Sequence, residues 1–275
     1  VVELMNAFPD LLIAGRMSLG AQGNNDAPDN YWFPFTTNRS TNPWASKLAD
    51  VFVRDGAMTP SEASDYSYGG AFSTEIGGLQ VITLNTVIYS VKHTPKTPNP
   101  HRGDNDDPFG QFKWLRAELE KARARGRPAW IVGHIPPGIE SYEYSELWEP
   151  AYTDAYLQVV QDPLLGPFVA AQLFGHVHAC EYRLLPDPSF RTSKEAGPIL
   201  LSGALSPIYL NNPAFRVVEY DDQTGRLLGM VVYVAPLPEA SEDAPSSCQD
   251  SNLGEGDGTE EEGGGVGATP CQPLE

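Results

Sequence analysis

The stretch Leu-Phe-Gly-His-Val-His at residues 173–178 places two histidines directly after an apolar run. That run begins at Phe168, and its length and composition predict a buried strand. Gly175 then allows a sharp turn, because glycine has no Cβ to restrict its backbone. Neutral imidazole is the most common side-chain metal ligand, and α/β proteins bind ligands at the carboxyl ends of their strands. The stretch therefore predicts either a metal site at a strand end or a pair of structural histidines.

Two other stretches end in the same kind of polar corner. An apolar strand that starts near Pro128 leads into Gly133 and His134, and a Pro-Pro-Gly turn follows. Near the amino end, the polar turn Gly-Asn-Asn-Asp occupies residues 23–26. Three strand-to-loop corners that all carry ligand-type side chains predict one shared site rather than three unrelated loops.

In this order, the corners GNND, GHIPPG and FGHVH resemble the motifs of the calcineurin-like metallophosphoesterases. Within that family the chain is most similar to the acid sphingomyelinase-like phosphodiesterases and the endopolyphosphatases, over roughly Phe8 to Tyr233. The resemblance implies an α/β protein, part of a four-layer α/β/β/α sandwich. It also implies hydrolysis of phosphodiester or phosphoanhydride bonds at two divalent metal ions, with zinc as the expected metal. The implied substrates are a phosphate-containing small molecule, polyphosphate or a phospholipid headgroup.

The resemblance also implies roles for individual residues. Asn24, His134 and His176 would hold one metal ion, and His178 would help to hold the other. Asn25 stands where related phosphodiesterases often have a histidine that protonates the leaving group. Because asparagine is not an acid at neutral pH, we expect Asn25 to hydrogen-bond a phosphate oxygen instead. This substitution favours the endopolyphosphatase alternative, in which the leaving group is itself a phosphate.

The first two motifs of the family have no counterpart before Asn24. No Asp-x-His occurs in the chain, and no Gly-Asp precedes Asn24 to supply the bridging carboxylate. We therefore expect a metallophosphoesterase domain that lacks its amino-terminal part, with weak single-metal binding if nothing else completes it. A truncated, non-catalytic metal- or phosphate-binding remnant is the second hypothesis, and an interaction domain with structural histidines is the third.

Charge divides the chain into two parts. The net charge is −18, and residues 238–275 contribute ten acidic side chains and no lysine or arginine. The remaining 26 acidic and 18 basic residues give −8 for residues 1–237. We expect residues 1–237 to form the domain and residues 238–275 to be a disordered, Gly-rich acidic tail. This balance lacks the basic footprint of a nucleic-acid-binding protein.

The cellular compartment is predicted mainly from the family resemblance, which implies secretion or a lysosomal or vacuolar lumen. Asn38 begins an N-glycosylation triplet, and no run of about 18 apolar residues predicts a membrane span. The amino end does not have the pattern of a signal peptide. Cys248 and Cys271 could pair in an oxidising compartment, but Cys180 makes the count odd and leaves the pairing open.

Periodicity predicts the remaining elements. The apolar spacing over residues 111–125 predicts a helix that Gly126 ends. We expect further strands at 78–85 and 199–202, a helix at 154–160, a hairpin from 215–220 and 227–234, and pocket-lining loops at 27–46 and 139–150.

Overall fold

The computed structural model describes residues 20–35, 42–95, 107–185, 196–207, 209 and 211–237. The predicted acidic tail, the Asn38 triplet and the Cys248–Cys271 pair lie outside these residues. Within them, Cys180 is a free, exposed cysteine. No helix in these ranges is both long and apolar enough to cross a membrane.

A six-stranded sheet forms the centre of the domain. Its strands are β1 (Phe72–Ile76), β2 (Leu79–Thr83), β3 (Ala129–Val132), β4 (Val169–Phe174), β5 (Glu181–Arg183) and β6 (Ile199–Leu201). The strand order is β1-β2-β3-β4-β6-β5. The four inner strands run parallel, and the two edge strands pair antiparallel to their neighbours. The predicted α/β class is therefore confirmed, and the strands that lead to the two histidine corners are direct neighbours.

Four helices accompany the sheet: α1 (Pro43–Arg54), α2 (Pro60–Gly69), α3 (Gln111–Arg125) and α4 (Pro150–Val160). The predicted bounds of α3 are confirmed, and Gly126 ends it in the left-handed conformation with φ 67°. The helix buries Phe112, Leu115 and Leu119, which repeat at spacings of three and four residues. Both α3 and α4 connect parallel strands, so they build the β-α-β units that set the sheet order.

Helix α1 shows that the prediction of one long loop over residues 27–46 was wrong for its last four residues. Helix α1 begins at Pro43, and the side-chain oxygen of Asn42 caps it by accepting from the Ala45 N–H at 2.9 Å. Helix α2 begins with a capping box between Thr59 and Glu62. Both starts carry a sequence signal, a polar cap residue followed by proline.

The two faces of the sheet have different neighbours. The helices contribute to the large buried cluster on one face. On the other face, the hairpin of β7 (Ala214–Tyr220) and β8 (Leu227–Val234) packs against a smaller cluster around Trp130. The Trp130 indole N–H donates to the Gly225 carbonyl in the hairpin turn at 2.7 Å. The described residues thus form helix, sheet and hairpin layers, and the fourth layer of the predicted sandwich is not confirmed.

Candidate metal centre

The candidate site lies where β3 and β4 end side by side. The Gly133 N–H donates to the Leu173 carbonyl at 3.0 Å, and the Gly175 N–H donates to the His134 carbonyl at 2.9 Å. These bonds extend the ladder past both strands and bring the two histidine corners together. A Cβ at Gly133 would lie 2.7 Å from the Phe174 ring, so this position requires glycine to let the chains approach.

The backbone at the second corner differs from the expectation that Gly175 makes the turn. Gly175 is not among the residues with positive φ, whereas His176 has φ 69° and His178 has φ 60°. A non-glycine residue in the left-handed region is uncommon and raises the energy of the local backbone. The two histidines themselves therefore break the alternation of the strand, and Gly175 does not.

Asn24, His134 and His176 converge on one point. The His134 Nε2–H donates to Asn24 Oδ1 at 2.8 Å, and the His176 Nδ1–H donates to the same oxygen at 3.1 Å. The two imidazole rings lie 5.2 Å apart, centroid to centroid. Donors placed about 2.0–2.1 Å from one zinc ion stand roughly 3.0–3.4 Å from each other. The donor types and their spacing therefore fit one metal ion after a small expansion.

Two residues that follow the GNND turn form hydrogen bonds with the side chains of Asn24 and His176. The Asn24 Nδ2–H donates to Asn30 Oδ1 at 2.8 Å, and the Tyr31 hydroxyl donates to His176 Nε2 at 3.3 Å. The Tyr31 N–H donates to the Asn24 carbonyl at 2.8 Å and closes the turn. The sequence showed Tyr31 only as one aromatic residue of a pocket-side loop and did not distinguish Asn30.

His178 lies beside this group without joining it. Its ring packs edge-on against Tyr209, with centroids 5.4 Å apart. Its buried Nδ1 atom has no hydrogen-bond partner among the described residues. A buried imidazole nitrogen that lacks a partner is unfavourable unless a ligand satisfies it. This orphaned atom fits the predicted role of His178 at a second ion, which remains a prediction.

Burial keeps the imidazoles neutral. Removal from water, and to a smaller extent the charge of His178, lower the pKa of His134 to about 4. The pKa of His176 is also lowered to about 4, first by burial and then by the neighbouring His134. Burial lowers the pKa of His178 as well. Neutral imidazole is the form that binds a metal ion, so at near-neutral pH these rings need not lose a proton to do so.

Across the described part of the chain, no three His, Cys, Asp or Glu side chains group closely enough to hold a metal ion. The predicted catalytic residue Asn25 is exposed. Its proposed contact with a phosphate oxygen stays a prediction. The centre therefore offers two imidazoles and one amide oxygen, with His178 nearby.

A cleft of about 340 Å³ opens beside His176. Both predicted pocket loops contribute to it, the first through Tyr31 and the second through six residues: Glu140, Tyr142, Glu143, Ser145, Glu146 and Leu147. Its lining combines three tyrosines, three glutamates and one lysine: Tyr31, Tyr142, Tyr209, Glu140, Glu143, Glu146 and Lys92. The cleft is therefore aromatic and carries a net negative charge next to the candidate ligands.

Fold and site together define an α/β protein with an imidazole-rich centre at the ends of two neighbouring parallel strands. No protein-family model matches the chain. Curated proteins do match it: the chain is 32% identical to sphingomyelinase phosphodiesterase D of Dictyostelium discoideum over 219 residues, 78% of this chain and 46% of that protein. It is 30% identical over 258 residues to acid sphingomyelinase-like phosphodiesterase 3b of Homo sapiens, covering 86% of this chain and 50% of that protein.

A third relative is the human cyclic GMP-AMP phosphodiesterase, which is 24% identical over 256 residues, 86% of this chain and 50% of that protein. The chain is a homologue of the acid sphingomyelinase-like phosphodiesterases, and the resemblance inferred from its three motifs is confirmed. It spans about half the length of these curated relatives.

Proposed function

We propose that this chain carries part of a metal-dependent phosphoric diester hydrolase. The observation that supports this most directly is the convergence of His134 and His176 on the amide oxygen of Asn24. Relatives that match most of the chain are named phosphodiesterases, which agrees with the proposal.

In this proposal, Asn24, His134 and His176 hold one divalent ion, with zinc preferred for its affinity for imidazole and oxygen ligands. His178 helps to hold a second ion. When bound, two such ions neutralise phosphate oxygens and lower the pKa of a bound water. The chain's own residues orient the donors, since the strand ends set the backbone and the neutral amide of Asn24 leaves the positive charge available for phosphate. Asn25 would donate a hydrogen bond to a phosphate oxygen.

The cleft favours a diester over polyphosphate. Polyphosphate carries negative charge along its whole length, and three glutamates face the cleft against the one amine of Lys92. Like charges within one cleft oppose binding, particularly where water is partly excluded. A diester with an organic group, such as a phospholipid headgroup, would place that group against Tyr31, Tyr142 and Tyr209. The endopolyphosphatase alternative, which Asn25 favoured, is therefore the weaker of the two.

The exposed apolar side chains of the hairpin support the four-layer sandwich as part of this proposal. Several apolar side chains of the hairpin are exposed: Phe215, Val217, Leu228, Met230, Val231, Val232, Tyr233 and Val234. An apolar run of this kind is typical of a strand that is covered on both faces. A lysosomal, vacuolar or secreted location is likewise proposed, from the family alone.

Metal content and turnover test the proposal together. Elemental analysis of the purified 275-residue chain after incubation with zinc should find bound zinc, and bis-nitrophenyl phosphate should be hydrolysed faster than linear polyphosphate. His176→Ala should lose both properties, whereas His101→Ala, a histidine outside the predicted ligand set, should keep them. A wild-type chain that binds no zinc and turns over neither substrate would overturn the proposal.

The remnant hypothesis predicts a different result from the same experiment. Across the described residues, no three His, Cys, Asp or Glu side chains group closely enough to hold a metal ion, which favours a metal-binding chain without turnover as the second candidate. Bound zinc that is lost in His176→Ala, with no hydrolysis of either substrate by the wild type, would favour that candidate.

A further inference from the structure

We infer that Asn30 and Tyr31 are positioning residues that orient two of the candidate metal ligands from outside the metal shell. The inference rests on the proposed function, because it concerns the same centre. The contacts are the side-chain hydrogen bonds from Asn24 Nδ2 to Asn30 Oδ1 and between the Tyr31 hydroxyl and His176 Nε2. The two residues are adjacent in the chain. Asn30 contacts Asn24, which belongs to the first corner, and Tyr31 contacts His176, which belongs to the third.

Asn30 decides which end of the Asn24 amide faces the centre. An amide has an oxygen that can bind a cation and an NH₂ group that cannot. With Nδ2 donating to Asn30 Oδ1, the Oδ1 atom of Asn24 is directed at the two imidazoles. Without the acceptor on Asn30, the amide could rotate by half a turn and present its NH₂ group instead. The side-chain oxygen of Asn30 is therefore the partner outside the metal shell that favours the binding orientation.

Tyr31 acts on His176 in a corresponding way. Nδ1 is the atom of His176 that faces Asn24, so Nδ1 is the one available to a metal. For Nδ1 to bind, the ring proton must sit on Nε2, and Nε2 faces the Tyr31 oxygen. A hydroxyl can accept as well as donate, so it serves either tautomer of His176. Tyr31 therefore provides an acceptor for the Nε2 proton when Nδ1 becomes a ligand.

The backbone holds the pair in place. Tyr31 lies in the left-handed region with φ 60°, and its N–H donates to the Asn24 carbonyl. Asn24 and Asn30 are six residues apart in the sequence. The backbone bond folds the chain into a turn that places their side-chain amides within hydrogen-bond distance. Asn30 itself is exposed, and substitution there should leave the core intact. Outer groups that orient metal ligands commonly change metal affinity 10- to 100-fold when they are removed.

Zinc titration of the full 275-residue chain tests the inference. We expect Asn30→Leu and Tyr31→Phe each to weaken zinc binding by about 10- to 100-fold. Asn30→Asp retains an acceptor oxygen and should stay within about threefold of the wild type, measured at about 0.5 M salt to screen its added charge. Asp29→Ala and Tyr144→Phe are the matched controls, since both residues are exposed and neither lies in the centre or the cleft. Both controls should bind zinc like the wild type.

A measurement on the metal-free chain separates this inference from the proposed function. In NMR spectra, the Asn24 side-chain amide should exchange with solvent at least about tenfold faster in Asn30→Leu than in the wild type, because its hydrogen bond is lost. Equal zinc affinity in wild type and variants, or a loss in Asn30→Asp as large as in Asn30→Leu, would overturn the inference. A wild type that binds no zinc would overturn the proposed function, and unchanged amide exchange would still refute the positioning role of Asn30.

Discussion

Gly133→Ala and Gly175→Ala should have opposite outcomes, although each glycine directly precedes a candidate ligand histidine. A Cβ at Gly133 would lie 2.7 Å from Phe174 Cε1 and 2.8 Å from Thr86 Cγ2, which real structures essentially never tolerate. A Cβ at Gly175 would find its nearest neighbour, Nδ1 of His134, at 3.9 Å. Gly175 also lacks positive φ, so its backbone accepts alanine. Packing alone therefore separates the two substitutions.

The magnitude follows from the same contacts. Forcing a methyl group into a packed interior typically costs about 1–3 kcal/mol, and two contacts below 3 Å place Gly133→Ala in the upper half of that range. For a domain of this size, about 2 kcal/mol corresponds to a fall in Tm of about 4–8 °C. Gly175→Ala should change the free energy of unfolding by less than about 1 kcal/mol, and in the stabilising direction, because alanine restricts the unfolded chain.

Urea denaturation of the three proteins at pH 7 would measure these differences. A second comparison adds Thr86→Ser, which removes Cγ2 and keeps the Oγ1 atom that accepts from the His134 and Ile135 N–H groups. In the Gly133→Ala background this change should recover about 0.5–1.5 kcal/mol as a coupling energy. Equal stability of the two glycine variants, or the absence of any coupling to Thr86, would refute the packing argument.

Two further predictions concern acid stability and the hairpin. Because the folded-state pKa values of His134 and His176 lie near 4, below the ordinary 6.5, the unfolded chain binds more protons between these values. The contribution of these two histidines to the free energy of unfolding should therefore be fully present above pH 6.5 and should decline towards pH 4. At pH 5 the loss should be about 1–2 kcal/mol per histidine. Urea curves in EDTA at pH 7 and pH 5 would measure this, and His134→Gln should show a smaller decline. Trp130→Phe should cost about 1–3 kcal/mol by leaving the Gly225 carbonyl unpaired. Trp114→Phe, on the helical face, should cost less in the same assay.

The corners of the site were predictable from the sequence because each is a local pattern. An apolar run followed by Gly-His specifies a buried strand and a ligand-type side chain within a few residues. Parallel strands align their carboxyl ends, so His134 and His176 were expected to meet once both strands joined one sheet. The contact between them is a consequence of strand order, of which the sequence predicted only the β-α-β unit formed with the helix at 111–125.

The outer contacts were not predictable from local pattern. Tyr31 and His176 are 145 residues apart, and nothing in the sequence around either one specifies the other. Asn30 lies six residues from Asn24, but only the turn closed by the Tyr31 N–H brings the two amides together. The difference between Gly133 and Gly175 is of the same kind, because it depends on which side chains of other elements approach each backbone.

The distribution of backbone strain argues against an interaction domain with merely structural histidines. Six described non-glycine residues have positive φ, and four of them surround the centre: Tyr31, His176, His178 and Tyr209. Strained positions of this kind cost of order 1–3 kcal/mol each and persist where the surroundings require them. A histidine that served only to fill space could be held in an ordinary strand conformation, at no such cost. The strain is explained if both histidines must turn their rings toward a ligand, which is what the metal-centre hypothesis requires.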